Sequence, residues 1–99
     1  MKITRNDNII FVEGMLDSTS AHNLGDMLDQ FLSADNMISA FILDVSQMTY
    51  ISSGGLRLLI TLQKGLVAQG KTLTIRGVQP AVDEVLTMTG LSSILNIEK

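Results

Sequence analysis

The chain has 99 residues, 45% of them hydrophobic, a net charge of −3 and no cysteine. That length suits one domain, residues 1–99, with one core. The acidic balance argues against a nucleic-acid binder, which needs a basic stripe for phosphates, and against charge-driven attachment to anionic membranes. Disulfides and thiolate metal sites are excluded, and a single histidine, His22, cannot build a zinc site. No apolar run approaches the ~18 residues of a membrane span, and Met1 to Asp7 lacks the apolar stretch of a secretory signal. A soluble cytoplasmic protein without a cofactor is the expectation.

Ile3 and Arg5 flank a short strand that ends at the turn cluster Asn6-Asp7-Asn8. Ile9-Ile10-Phe11-Val12 is a β-branched and aromatic run, so the two segments form a hairpin, with Glu13-Gly14 ending the second strand. A helix capped by Ser18 or Ser20 runs to about Ala34. Its apolar set, Ala21, Leu24, Met27, Leu28, Phe31 and Leu32, fills an arc of roughly 140°, the stripe of a helix lying on a core. Asp26, Asp29 and Gln30 take the solvated side. Gly25 costs this helix about 1 kcal/mol relative to alanine and implies close approach to a neighbour.

Ser33-Ala34-Asp35-Asn36 reads as a loop, and Ile38 to Leu43 as a central strand ending at Asp44. Val45 to Ile51 then reads as a connecting loop. A second helix extends from about Ser53 to Gln69, with Gly70 as its stop. Lys71 to Arg76 alternates polar and apolar and is a half-buried strand, so a right-handed crossover joins two parallel strands. Pro80 opens a third helix whose apolar stripe is Ala81, Val82, Val85, Leu86 and Met88, and Gly90 closes it. Ile94 to Ile97 is a last short strand. The fold class is α/β: a mixed sheet of four to five strands, two or more of them parallel, with three helices mainly on one face.

The stretch from Asp44 to Leu56 organises the rest. Ligands of such sheets gather beyond the carboxyl ends of strands. Ser52 and Ser53 stand where the second helix begins, and the first N–H groups of a helix lack partners and carry partial positive charge. Gly54 and Gly55 keep that turn unobstructed. A phosphoryl group on Ser53 would add about −1.5 to −2 charge at a place where the helix dipole favours it. A partner covering Ser53 would then have to bury a dianion, at a cost of several kcal/mol. Against this stands the common use of serine as a helix cap.

The longer pattern, Asp44-x-Ser46 followed by Tyr50-Ile51-Ser52-Ser53-Gly54-Gly55-Leu56 and a leucine-rich helix, resembles the signature of STAS domains, the family of bacterial anti-sigma factor antagonists. The resemblance extends over essentially the whole chain and its element order. It implies a cytoplasmic switch protein. Its partners would be an anti-sigma factor with serine-kinase activity and a metal-dependent serine phosphatase, with Ser53 as the phosphoacceptor by position. Asp44, Ser46, Tyr50, Ser52, Gly54, Gly55, Arg57 and Leu58 are the candidate partner-binding residues, and weak homo-oligomerisation is compatible with the pattern. The chain departs from the family at Ser52, where an aspartate is usual, and at Gly54. Ser52 therefore competes as acceptor. Some STAS domains are not phosphorylated and dock as subunits of transporters or larger assemblies, which is the alternative.

On the second helix, Leu56, Leu58, Leu59, Ile60, Leu62, Leu66 and Val67 spread over roughly 200°, wider than one sheet face requires. The Leu58–Leu62 shoulder either packs on a neighbouring helix or, beside Arg57 and Lys64, meets an acidic partner. Asp44 either accepts loop N–H bonds or orients Ser53. An enzyme is not expected. His22 lies on the outward face of the first helix with Asp26 one turn on, and neither a Gly-x-Ser-x-Gly elbow nor a Gly-Lys-Ser/Thr phosphate loop is present.

Overall fold

The structure is a computed structural model that describes residues 2–34 and 38–98, the side chains of residues 31–34 excepted. In chain order it contains β1 (Lys2–Asn6), β2 (Ile9–Leu16), α1 (Ser18–Ala34), β3 (Ala40–Ile51), α2 (Ser53–Ala68), β4 (Thr72–Arg76), α3 (Pro80–Met88), a 3-10 turn (Leu91–Ser93) and β5 (Asn96–Glu98). The strands form one sheet in the order β1-β2-β3-β4-β5. The β1–β2 hairpin is antiparallel and the other pairings are parallel. Asp7, at φ 58, makes the hairpin turn in the left-handed region that aspartate tolerates.

Register decides which face of the sheet is covered. It sets Ile10, Leu43 and Ile75 side by side and Phe41 beside Leu73, all of them buried. The alternate row of Ile9, Ile42, Thr74 and Asn96 points the other way and holds no fully buried residue. Leu24 and Leu28 of α1, Leu59 and Leu66 of α2, and Val82 and Leu86 of α3 join the buried strand residues in a single cluster. The helices therefore share one face, as the apolar stripes predict.

The tract from Val45 to Ile51 is strand, not loop. β3 is 12 residues long and carries Asp44 in its interior rather than at its end. β2 likewise continues past Glu13-Gly14 to Leu16, with Gly14 at φ 95. The pairing between them slips twice, between Phe11 and Glu13 and between Gly14 and Met15. Each slip places one extra residue in β3 (a β-bulge), which leaves that residue unpaired and breaks the period of two. Buried positions in β3 consequently fall at Phe41, Leu43, Val45, Met48 and Ile51. A strand whose inward residues stand three apart does not look like one to a test for alternation.

Other boundaries differ for local reasons. α1 is capped by Asp17: its Oδ1 accepts the Ser20 N–H at 2.9 Å, and the Ser20 hydroxyl accepts the Asp17 N–H at 2.8 Å. Ser18 and Ser20 are therefore inside the helix, in a reciprocal capping arrangement. Ser33 and Ala34 belong to α1, the loop positions Asp35 and Asn36 lie outside the described residues, and so do the side chains of Phe31 and Leu32. Leu58 Cδ1 lies 3.4 Å from where a Cβ on Gly25 would be, so α2 packs against α1 there, but at an ordinary contact distance that does not by itself require glycine. The stop at Gly70 is as expected. Its φ is 74, the Lys71 N–H donates to the Leu66 carbonyl, and the Gly70 N–H donates to the Val67 carbonyl. In α3 the stripe is narrower than expected: Val82 and Leu86 are buried, whereas Ala81 is exposed and Met88 is 78% exposed. Met88 stands roughly 140° around the helix from the midpoint of Val82 and Leu86. The last strand begins at Asn96, two residues later than expected, because the Ile94 and Leu95 N–H groups still donate back to the Leu91 carbonyl of the 3-10 turn.

Candidate functional site

The ends of β2 and β3 and the starts of α1 and α2 meet at one place. The Ser52 N–H donates to the Leu16 carbonyl at 2.9 Å, which ties the entrance of α2 to the end of β2. Ser52 is extended, at φ −93 and ψ 175, and its Oγ accepts the Gly55 N–H at 3.3 Å, so it is the N-cap of α2. Its carbonyl accepts the first helical bond, from Leu56, at 2.9 Å. Ser53 is the first helical residue and is exposed. The cap is thus supplied by its neighbour, and the Ser53 hydroxyl makes no hydrogen bond among the described residues.

Two glycines make this convergence possible. A Cβ on Gly54 would lie 2.6 Å from Ser18 Oγ and 3.0 Å from Ser18 Cα. A Cβ on Gly55 would lie 2.7 Å from the Leu16 carbonyl oxygen and 2.8 Å from Ile51 Cγ1. Gly55 is buried, so it shapes the site from beneath rather than facing a partner. Gly54, Ser18, Ala21, His22, Arg57, Leu58 and Thr61 line a shallow groove of about 300 Å³ between α1 and α2. His22 is exposed, with Nε2 3.5 Å from Asp26 Oδ2, the outward pair expected from their spacing. Arg57 is exposed, and Leu58 is half-buried against α1.

The opposite flank is apolar. Met15 and Tyr50 are paired in register and are 55% and 51% exposed. Met15 also borders a cleft with Ile3, Asp17, Asn23 and Met27. Bonds from the Ser20 amide, then from its hydroxyl, hold the Asp17 carboxyl below the usual carboxylate range, so this cap stays ionised. Met15 was not among the sequence candidates, because its exposure depends on a strand that extends beyond Gly14.

Asp44 and Ser46 belong to a different cluster. Asp44 Oδ2 accepts from Arg76 Nη2 at 2.9 Å and from Nε at 3.1 Å, and Oδ1 accepts the Ser46 N–H at 3.0 Å. Gln79 Nε2 donates to the Ser46 carbonyl at 2.7 Å, and a Cβ on Gly77 (φ 76) would meet Ser46 Cβ at 2.9 Å. Burial pushes the Asp44 carboxyl upward, but the Ser46 and Arg76 bonds outweigh it and hold the group below its ordinary range. The carboxylate is engaged by Ser46 and Arg76 rather than by Ser53. The cluster locks the first bulge of β3 to the β4–α3 connection, and its Arg76 and Gln79 were missed because only the register brings them beside Asp44.

Chemically, the site offers an exposed hydroxyl at a helix start, a groove carrying Arg57 on one side and the exposed Met15 and Tyr50 on the other. Among the described residues no group of three or more His, Asp or Glu could hold a metal ion, and no helix is long and apolar enough to cross a membrane.

The fold recurs in solved structures. A candidate anti-sigma factor antagonist from Thermotoga maritima matches with a TM-score of 0.81 at 21% identity, covering 99% of this chain and 85% of that one. The anti-sigma factor antagonist SpoIIAA in its unphosphorylated form matches with a TM-score of 0.78 at 15% identity, covering 99% and 87%. A sulfate transporter family protein from Wolinella succinogenes matches with a TM-score of 0.74 at 21% identity, covering 90% and 70%. With residues 1–96 matched by the family described as Mlab, STAS domain, the chain belongs to the STAS domain family.

Proposed function

We propose that this protein is an anti-sigma factor antagonist, a cytoplasmic binding module without chemistry of its own, whose grip on an anti-sigma factor is switched by phosphorylation of Ser53. The observation that carries the reading is the division of labour at the start of α2. Ser52 caps the helix and is half-buried, while Ser53 is exposed with its hydroxyl spare. A kinase gains access to Ser53 without unfolding anything, and the added charge falls where the helix dipole favours it by roughly 0.3–1 kcal/mol. The fold is compatible with such a change, since SpoIIAA from Bacillus in its phosphorylated form also matches this chain, with a TM-score of 0.71. The partner surface consists of Met15 and Tyr50 on one side of Ser53 and of Gly54, Arg57 and the rim of Leu58 on the other. The kinase is the anti-sigma factor itself, and a metal-dependent serine phosphatase restores the binding form.

Peptide mass spectrometry on the protein purified from its own cells, with Ser53→Ala alongside, tests this. A single phosphate on Ser53 that is absent from the variant is the expected result. Phosphate on Ser52 instead would move the site. No phosphate under growth, starvation or stress would refute the switch and leave the second reading, a non-phosphorylated docking subunit of a transporter or larger assembly. The likeness to the Wolinella succinogenes transporter-family protein favours that second reading.

A further inference from the structure

We infer that Arg57 is a built-in receiver for phosphate on Ser53, so that phosphorylation withdraws Arg57 from the α1–α2 groove that it lines. The inference rests on the reading of Ser53 as the acceptor and names how that switch acts. Ser53 and Arg57 stand four residues apart on α2, which places their Cβ atoms about 6 Å apart on one helix face. Arg57 lines the groove with Gly54, which follows Ser53 in the chain, and with Ser18, which packs on Gly54. Its neighbour across the groove, His22, points its Nε2 at Asp26, so the guanidinium is the cation left for an anion arriving at the head of α2. No side chain grows from Gly54 to block the path.

A phosphoserine oxygen pair matches the fork of an arginine, and such charge-assisted bonds are the strong ones. Phosphorylation then does two things at once. It adds a dianion that a partner would have to bury, and it withdraws the arginine that the partner would have used. The other titratable group lining the groove is His22, whose Nε2 is turned to Asp26.

The test uses the full chain with phosphoserine installed at position 53 by genetic encoding, so that no kinase is required. Phosphorus NMR follows the second ionisation of that phosphate, which is near pH 6 when free. In the parent protein it should fall at least about 0.3 pH unit below its value in Arg57→Ala, the shift expected of one helix-surface ion pair. Arg57→Lys should retain part of the difference, and Lys64→Ala, a control further down α2, should leave it unchanged. Superposable titrations of the parent and Arg57→Ala would overturn the inference while leaving the switch intact. The switch itself fails separately, if the phosphorylated chain still binds the anti-sigma factor as the unmodified chain does.

Discussion

Gly55 and Gly65 lie on the same helix, ten residues apart, and the same substitution should move stability in opposite directions. Alanine is the better helix former by up to about 1 kcal/mol, and that gain is available at both positions. At Gly65 nothing lies within 4 Å of the added Cβ, so the gain stands alone. At Gly55 the added carbon would meet the Leu16 carbonyl oxygen at 2.7 Å, Ile51 Cγ1 at 2.8 Å and Leu16 Cγ at 2.9 Å. The first of these is backbone, anchored by the Ser52 N–H, and cannot rotate away. Overpacking of this kind costs about 1–3 kcal/mol and exceeds the propensity gain, which is smaller in a first turn. For a domain of this size each kcal/mol is about 4–8 °C in Tm. Gly65→Ala should therefore melt a few degrees above the parent and Gly55→Ala several degrees below it, with urea midpoints in the same order. Equal midpoints for the two variants would show that α2 does not enter against β2 as described.

Three further expectations follow from the site and its surroundings. Ser52→Ala removes the cap and should cost about 1 kcal/mol in urea unfolding, whereas Ser53→Ala should stay within about 0.5 kcal/mol of the parent; the reverse order would assign the cap to the wrong serine. Asp44 has a depressed folded carboxyl, so its contribution is present above the unfolded value near pH 3.9 and is lost as pH falls through the folded value. Asp44→Asn should therefore lower stability at neutral pH and narrow the difference from the parent as the solution is acidified, as read by thermal melts from pH 7 to pH 2. Met15→Ala and Tyr50→Ala should weaken partner binding in a pull-down or calorimetric titration with Tm unchanged, while Leu58→Asp, half-buried against Gly25, should lower Tm by several degrees.

Most of the architecture is legible in the residues because the period is clean where it matters. α2 keeps its apolar side on Leu59 and Leu66, β4 alternates strictly, and Gly70 ends α2 with the conformation that only glycine adopts readily. What the chain hides is long-range. The two bulges of β3 exist only as a mismatch with β2, and Asp44 finds Arg76 only through the β3–β4 register. The candidate site was readable as far as the serine pair. The division between capping Ser52 and spare Ser53 depends on a 3.3 Å bond that no local pattern reports, since either serine fits the start of a helix. The exposed Met15 is invisible for the same reason as the end of β2. Asp17, by contrast, was available to a reading of Asp-x-x-Ser as reciprocal capping.

The two bulges also obey a parity rule. A strand returns a side chain to the same face every second residue, so one inserted residue inverts everything downstream and two restore it. β3 carries two, one on either side of the Glu13–Gln47 and Gly14–Met48 pairs, and by Ile51 the strand is back in phase with Leu43 and Val45, facing the core opposite Leu16. Had evolution kept a single insertion, Ile51 would point to solvent and Ser52 would begin α2 from the wrong face of the sheet. The segment that delivers the serine pair can therefore change length only in steps of two, and a single-residue deletion between Val45 and Tyr50 is a harsher mutation than a double one.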